Sequence, residues 1–132
     1  MQCKALRDSA REIQNFDVAY FMASVDTLED NTAFAAEHEA NFPILADPSK
    51  EMVDAYGALM GVGFANRLTR VLLSALVAVF ALGGQFAAAV EEGDKAPDFS
   101  LQASDGATYT LSQFAGDKPV VIAFFPKAFT GG

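Results

Sequence analysis

Val120-Val121-Ile122-Ala123-Phe124-Phe125, entered through Pro119 and closed by Pro126, is an unbroken apolar run of β-branched and aromatic residues near the end of a 132-residue chain. Proline has no N–H to give to a ladder, so the two prolines bound a strand. The lack of polar alternation between them predicts a strand covered on both faces. Val18-Ala19-Tyr20-Phe21-Met22-Ala23-Ser24-Val25 has the same character. Strands of this kind belong to parallel sheets, and the two runs predict a central parallel pair.

Working outward, Leu6, Ala10 and Ile13 recur at helical spacing with Lys4, Asp8 and Arg11 between them, which predicts an amphipathic helix over residues 3 to 15. Thr27 followed by Asp30 is a capping box with Asp in place of Glu, opening a helix through Ala33 to Ala36. Glu29 and Asp30 complement the positive end of that helix. Phe42-Pro43-Ile44-Leu45-Ala46 reads as a short strand, and Asp47-Pro48 as N-cap and first position of a helix carrying Met52, Val53 and Tyr56. Near the C-terminus Asp105-Gly106 separates Phe99-Ser100-Leu101 from Thr108-Tyr109-Thr110-Leu111, which predicts a β-hairpin at 99–111. Strands alternating with helices place the chain in the α/β class, with the hairpin at an edge.

With 52% hydrophobic and 20% charged residues, the chain is a small folded domain rather than a disordered one. Nine basic against 17 acidic residues give a charge of -8, which leaves no footprint for a phosphate backbone and argues against nucleic acid as a partner. Cys3 is the single cysteine, so an intrachain disulfide framework and a cysteine-rich metal site are excluded, and one histidine removes most zinc options. No metal and no cofactor is expected. Gly61-Val62-Gly63 is too short for a dinucleotide fingerprint. His38, between Glu37 and Glu39, reads as a solvated helix residue, and Glu91, Glu92 and Asp94 as a solvated acidic turn.

Charge divides the chain into three segments: -7 over residues 1–66, +2 over 67–89 and -3 over 90–132. Val71 to Val90 carries no charge at all. Arg67 and Arg70, the apolar core to Leu82, and the small residues Gly83-Gly84 and Ala87-Ala88-Ala89 reproduce the three parts of a secretory signal peptide, with cleavage before Val90. Such a segment implies periplasmic ancestry; without it, a cytoplasmic location is the default. A buried core helix and a membrane helix are the alternatives, the glycines of the second half arguing against the membrane.

Phe124-Phe125-Pro126-Lys127-Ala128-Phe129-Thr130-Gly131-Gly132 resembles the stretch that leads into the reactive cysteine of peroxiredoxins, the alkyl hydroperoxide reductase and thiol-specific antioxidant family. That family carries Pro-x-x-x-Thr-x-x-Cys after a central strand, and Pro126 and Thr130 match it. Gly93-Asp94-Lys95-Ala96-Pro97-Asp98-Phe99 is similar to the family's Gly-x-x-Ala-Pro-x-Phe opening, and Met1 to Asp8 to the start of the helix after the reactive cysteine. The resemblance implies an incomplete thioredoxin-like (redoxin) fold in circularly rearranged order: residues 90–132, a link bearing the cysteine, then residues 1–66, so that the termini are neighbours. It also implies that the strands and last helix following Asn66 in the family are replaced by the apolar block, and that the sheet loses an edge.

By the same resemblance the function is thiol-dependent reduction of hydrogen peroxide or organic hydroperoxides, with electrons from a thioredoxin-like reductant and a homodimer as an open expectation. A thiolate attacks the O–O bond, becomes a sulfenic acid and is resolved by a second thiol. Thr130 matches the residue that holds the peroxide, and Arg67 the distant arginine, with Arg70 as runner-up. Cys3 matches a resolving-type thiol. A small buried residue without chemistry, and a thiol that itself meets peroxide, stay open beside that reading. A non-enzymatic redoxin remnant or interaction module is the first alternative, since the family's reactive cysteine has no counterpart here. A membrane-tethered thiol-disulfide protein is the second, against which the lack of Cys-x-x-Cys counts.

Overall fold

The computed structural model describes residues 2–9, 12–13, 15–58, 69–72 and 90–129. Along the chain these form α1 (Gln2–Asp8), β1 (Ala19–Ser24), α2 (Leu28–Glu37), β2 (Ile44–Ala46), α3 (Glu51–Ala55), β3 (Thr69–Leu72), β4 (Ser100–Gln102), β5 (Thr108–Thr110), a short 3-10 turn (Ser112–Phe114) and β6 (Val120–Phe124). Four strands make one sheet in the order β2-β1-β6-β3. The two apolar runs are its centre: β1 and β6 pair in parallel from Ala19↔Val120 to Ala23↔Phe124. β2 joins β1 in parallel, with Met22 opposite Ile44. This is the mixed α/β architecture of an incomplete thioredoxin-like fold.

Alternate residues of the central strands feed two cores, as the twofold period of a strand requires. Phe21, Ala23, Leu45, Ile122 and Phe124 pack on one face with Met52, Val53 and Tyr56 of the α3 region and Phe99 and Ala103 of the hairpin. Met22, Ile44, Ala123 and Phe125 pack on the other with Phe42 and Ala128, against which Leu6 of α1 and Phe34 and Ala35 of α2 are laid.

The hairpin forms as its turn dipeptide requires. Ser100 pairs with Thr110 and Gln102 with Thr108, and Gly106 takes a φ of 84°, open to glycine without a Cβ penalty. Its tip is sewn to the outer edge of β2, where Ser104 N–H donates to Ile44 O at 3.0 Å and Ile44 N–H to Ser104 Oγ at 3.1 Å. That edge is thereby closed to further pairing.

Three expectations are corrected. The sheet does not lose its edge on the β6 side: Thr69–Leu72, inside the block read as signal-like, pairs antiparallel with β6 from Thr69↔Ala123 to Leu72↔Val120. Thr69 and Val71 supply β-branched residues suited to a strand. The helix after β2 begins at Glu51 rather than at Pro48, because Asp47 acts from a distance: one carboxylate oxygen accepts the Val53 N–H at 2.8 Å and the other the Ser49 hydroxyl at 2.9 Å. Residues 48–50 are the turn beneath that bridge. The first helix ends at Asp8, and Ser9 O then gathers the N–H groups of Glu12 and Ile13, both at 3.0 Å. Residues 73–89, on which the signal, core-helix and membrane readings rest, lie outside the described residues. Among the described residues, no helix is long and apolar enough to cross a membrane.

Candidate functional site

In open α/β sheets the carboxyl ends of parallel strands are where loops converge and ligands bind. Here the ends of β1 and β6 lie side by side, and the chain leaving β6 stays bound to its neighbour through Phe125 N–H to Ala23 O at 3.0 Å. Pro126 then stops the ladder, having no N–H to continue it. The turn that follows is held in three ways.

The first hold is polar. Asp26, buried just past the end of β1, accepts the Ala128 N–H on Oδ2 at 2.6 Å, a contact between residues 102 apart in sequence. The same oxygen lies 2.9 Å from the Ser24 hydroxyl, and Ser24 Oγ accepts the Asp26 N–H at 3.2 Å. Asn31 completes the group: its Oδ1 is 3.0 Å from Ser24 Oγ and its amide donates to Leu45 O at 3.2 Å. Ser24 has one hydroxyl proton for two acceptors, Asp26 and Asn31, and serves one at a time. Both Ser24 and Asn31 are fully buried.

The second hold is aromatic. Phe34 of α2 stacks on Phe125 at 5.5 Å with 19° between planes, and meets Phe129 edge-on at 5.6 Å, both within the range of favourable ring pairs. The third is backbone strain: Phe129 adopts a φ of 57°, the left-handed region that a bulky residue enters only when its surroundings impose it. Phe129 nevertheless leaves 53% of its surface exposed.

α1 approaches the same place. Leu6 packs on the cluster that contains Phe125 and Ala128, and Arg7 ties the helix to the end of α2 by donating to His38 O at 3.2 Å. A cation there also complements the negative end of α2. Asn41 adds an N–H to Arg7 O at 3.4 Å. His38 is not the solvated residue expected: it is half-buried as the C-cap of α2, its ring edge-on to Phe34 with 4.3 Å between ring centroids. Tyr20, on this face beside Phe42, has a buried hydroxyl with no partner among the described residues, and burial raises its pKa.

Of the residues singled out from the sequence, Pro126 sits in the turn, and Cys3 is placed by its backbone in α1, the helix packed against the same cluster. Thr130 and Arg67 lie outside the described residues. Arg70 falls in β3, opposite Ile122. Sequence reasoning missed Asp26, Ser24 and Asn31. Ser24 and Asp26 stand at alternate positions where an otherwise apolar run meets the carboxyl end of its strand, and that polar pair was the available signal.

The profile of the AhpC/TSA family matches residues 1–74 and 92–132, most of the chain and both halves of the sheet. The chain belongs to the AhpC/TSA family. Comparison with curated proteins and with solved structures gave no match. Membership of the AhpC/TSA family suggests a thiol-peroxidase-like function, the family in general taking peroxides as substrates and thioredoxin-like proteins as reductants. The matched region also takes in β3, which the sequence reading had left outside the domain's strands.

Proposed function

We propose that this AhpC/TSA protein reduces peroxides with Cys3, its single cysteine, as the sulfur that meets the substrate. One observation carries the reading: α1, which bears Cys3, and the turn after β6, which bears Pro126, pack on one apolar cluster although they lie at opposite ends of the chain. The Cys3 thiolate attacks one peroxide oxygen, the O–O bond breaks, and the sulfur becomes a sulfenic acid while the other oxygen leaves as alkoxide or hydroxide and takes up a proton. A thiol of a thioredoxin-like reductant condenses with the sulfenic acid and releases water. Its second thiol then returns Cys3 to the reduced state.

Thr130 and Arg67 are assigned to the peroxide by their match to the family motif, Thr130 holding the attacked oxygens and Arg67 stabilising charge on the leaving one. The test is titration of the full chain with hydrogen peroxide while sulfenic acid on Cys3 is trapped, alongside peroxide consumption in the presence of a thioredoxin-like donor. Sulfenylation faster in the folded than in the unfolded chain, with consumption abolished in Cys3→Ser, supports the reading. Equal labelling in both states and consumption at the background rate would establish a non-enzymatic redoxin instead.

A further inference from the structure

Asp26 is a carboxylate in a place where a structural role alone explains little. It caps no helix, since Thr27 already accepts the Asp30 N–H at 3.2 Å. It forms no ion pair among the described residues. Its short buried contact runs instead to the backbone of the turn beyond β6, whose next residue, Phe129, is held in a strained left-handed conformation. A hydrogen bond from a backbone N–H to a carboxylate is shorter and stronger than one to a neutral acceptor, and burial strengthens it further. Behind Asp26, Ser24 and Asn31 fix the carboxylate to β1, to α2 and, through Leu45 O, to β2.

We propose that Asp26 is the positioning residue of the site: by accepting the Ala128 N–H it sets the direction in which the chain leaves β6 and holds Ala128 and Phe129 where they lead into Thr130. Ser24 and Asn31 support that carboxylate and touch no substrate. The strain at Phe129 is the counterpart of the tether, because a left-handed phenylalanine half open to solvent relaxes once the bond before it is gone. The assignment of a catalytic consequence rests on the peroxide-reduction reading above; the tether itself does not.

Amide hydrogen exchange on the full chain, with Asp26→Ala and Asp26→Asn beside it, tests both. In the wild type the Ala128 amide exchanges far more slowly than in the unfolded chain. Asp26→Ala speeds it by at least about tenfold, the effect of losing one charge-assisted hydrogen bond, while amides of Phe21 to Ala23 and Ile122 to Phe124 change far less. Asp26→Asn, which keeps an acceptor oxygen, restores most of the protection. Sulfenylation of Cys3 by hydrogen peroxide falls in Asp26→Ala and recovers in Asp26→Asn, whereas alkylation of Cys3 by a neutral reagent is unchanged. An Ala128 amide unprotected in the wild type overturns the proposal whether or not the variants fold, as does a uniform loss of protection throughout the core. If Cys3 of the wild type is never sulfenylated, the peroxide reading fails, and the exchange pattern still decides the tether.

Discussion

The two faces of the central sheet are built from alternate residues of the same strands and differ in kind. One is closed by side chains, with no polar loose ends among the described residues: Phe21, Leu45, Val53, Ile122 and Phe124 are buried under α3 and the hairpin, and the Tyr56 hydroxyl beneath them donates to Pro97 O at 2.7 Å. The other carries the turn after β6, and there Phe129 stays half exposed, the Tyr20 hydroxyl is buried without a partner among the described residues, and a carboxylate is buried to hold one backbone N–H. Stability in a domain is spread unevenly, and regions that bind or react are drawn from its weaker part. The closed face holds the fold, and the site face gives up some stability to hold a shape.

The largest effect that could break this division is a pair of truncations. Phe124→Ala empties a fully buried site beside Tyr56 and is expected to cost about 3–5 kcal/mol. That is a large share of the roughly 5–15 kcal/mol that stabilises such a domain. Phe129→Ala, on the site face, removes a half-exposed ring and should cost less than about 1 kcal/mol. Urea denaturation of both variants measures the contrast, and equal losses would show that the faces do not differ.

A smaller effect has opposite signs on the two faces. Tyr56→Phe removes the donor to Pro97 O and should lower stability by about 1 kcal/mol. Tyr20→Phe removes a hydroxyl that is buried without a partner among the described residues, and should leave stability unchanged or raise it by up to about 1 kcal/mol. Thermal unfolding of the two variants, which delete the same atom, sharpens the comparison: a loss of stability in Tyr20→Phe would reveal a partner for that hydroxyl.

The scaffold was legible in the sequence wherever its signals are local or periodic. Unbroken apolar runs gave β1 and β6, Asp105-Gly106 gave the hairpin, and Thr27 gave the start of α2. β3 was hidden because Thr69–Leu72 runs on into a stretch whose composition points to helix or leader peptide, and its partner β6 lies about fifty residues away in sequence. At the site the sequence offers a motif at Pro126, Thr130 and Cys3, of which Pro126 falls in the turn after β6 and Cys3 in α1, while Thr130 lies outside the described residues. Asp26 acts across 102 residues on a backbone N–H, and a backbone group has no letter in the sequence. Asp47 was misread for the same reason, since its carboxylate caps Val53 from six residues before it rather than the residues that follow it directly.

The smallest expected effect concerns how the hairpin seals the closed face. Tyr109 lies edge-on to Phe21 at 4.9 Å, and its hydroxyl donates to Asp105 Oδ2 at 2.6 Å, while Asp105 Oδ1 accepts the Ala107 N–H at 3.0 Å. The bond to Asp105, then partial burial, then the negative charge of Asp105 push the Tyr109 pKa up from 10.0 to about 12. Because the folded value is raised, the contribution to stability is fully present below pH 10 and disappears as pH rises through about 12. Solvent around this exposed turn keeps that contribution small. Tyr20 and Tyr56 are raised as well, by burial, so at pH 10.5 the folded protein should show much less tyrosinate absorbance than the unfolded chain. Asp105→Asn should return one of the three steps toward pH 10 and leave the other two in place. If no step moves, the Asp105 carboxylate is not what holds Tyr109, and the edge of the closed face is kept by the ring contact with Phe21 alone.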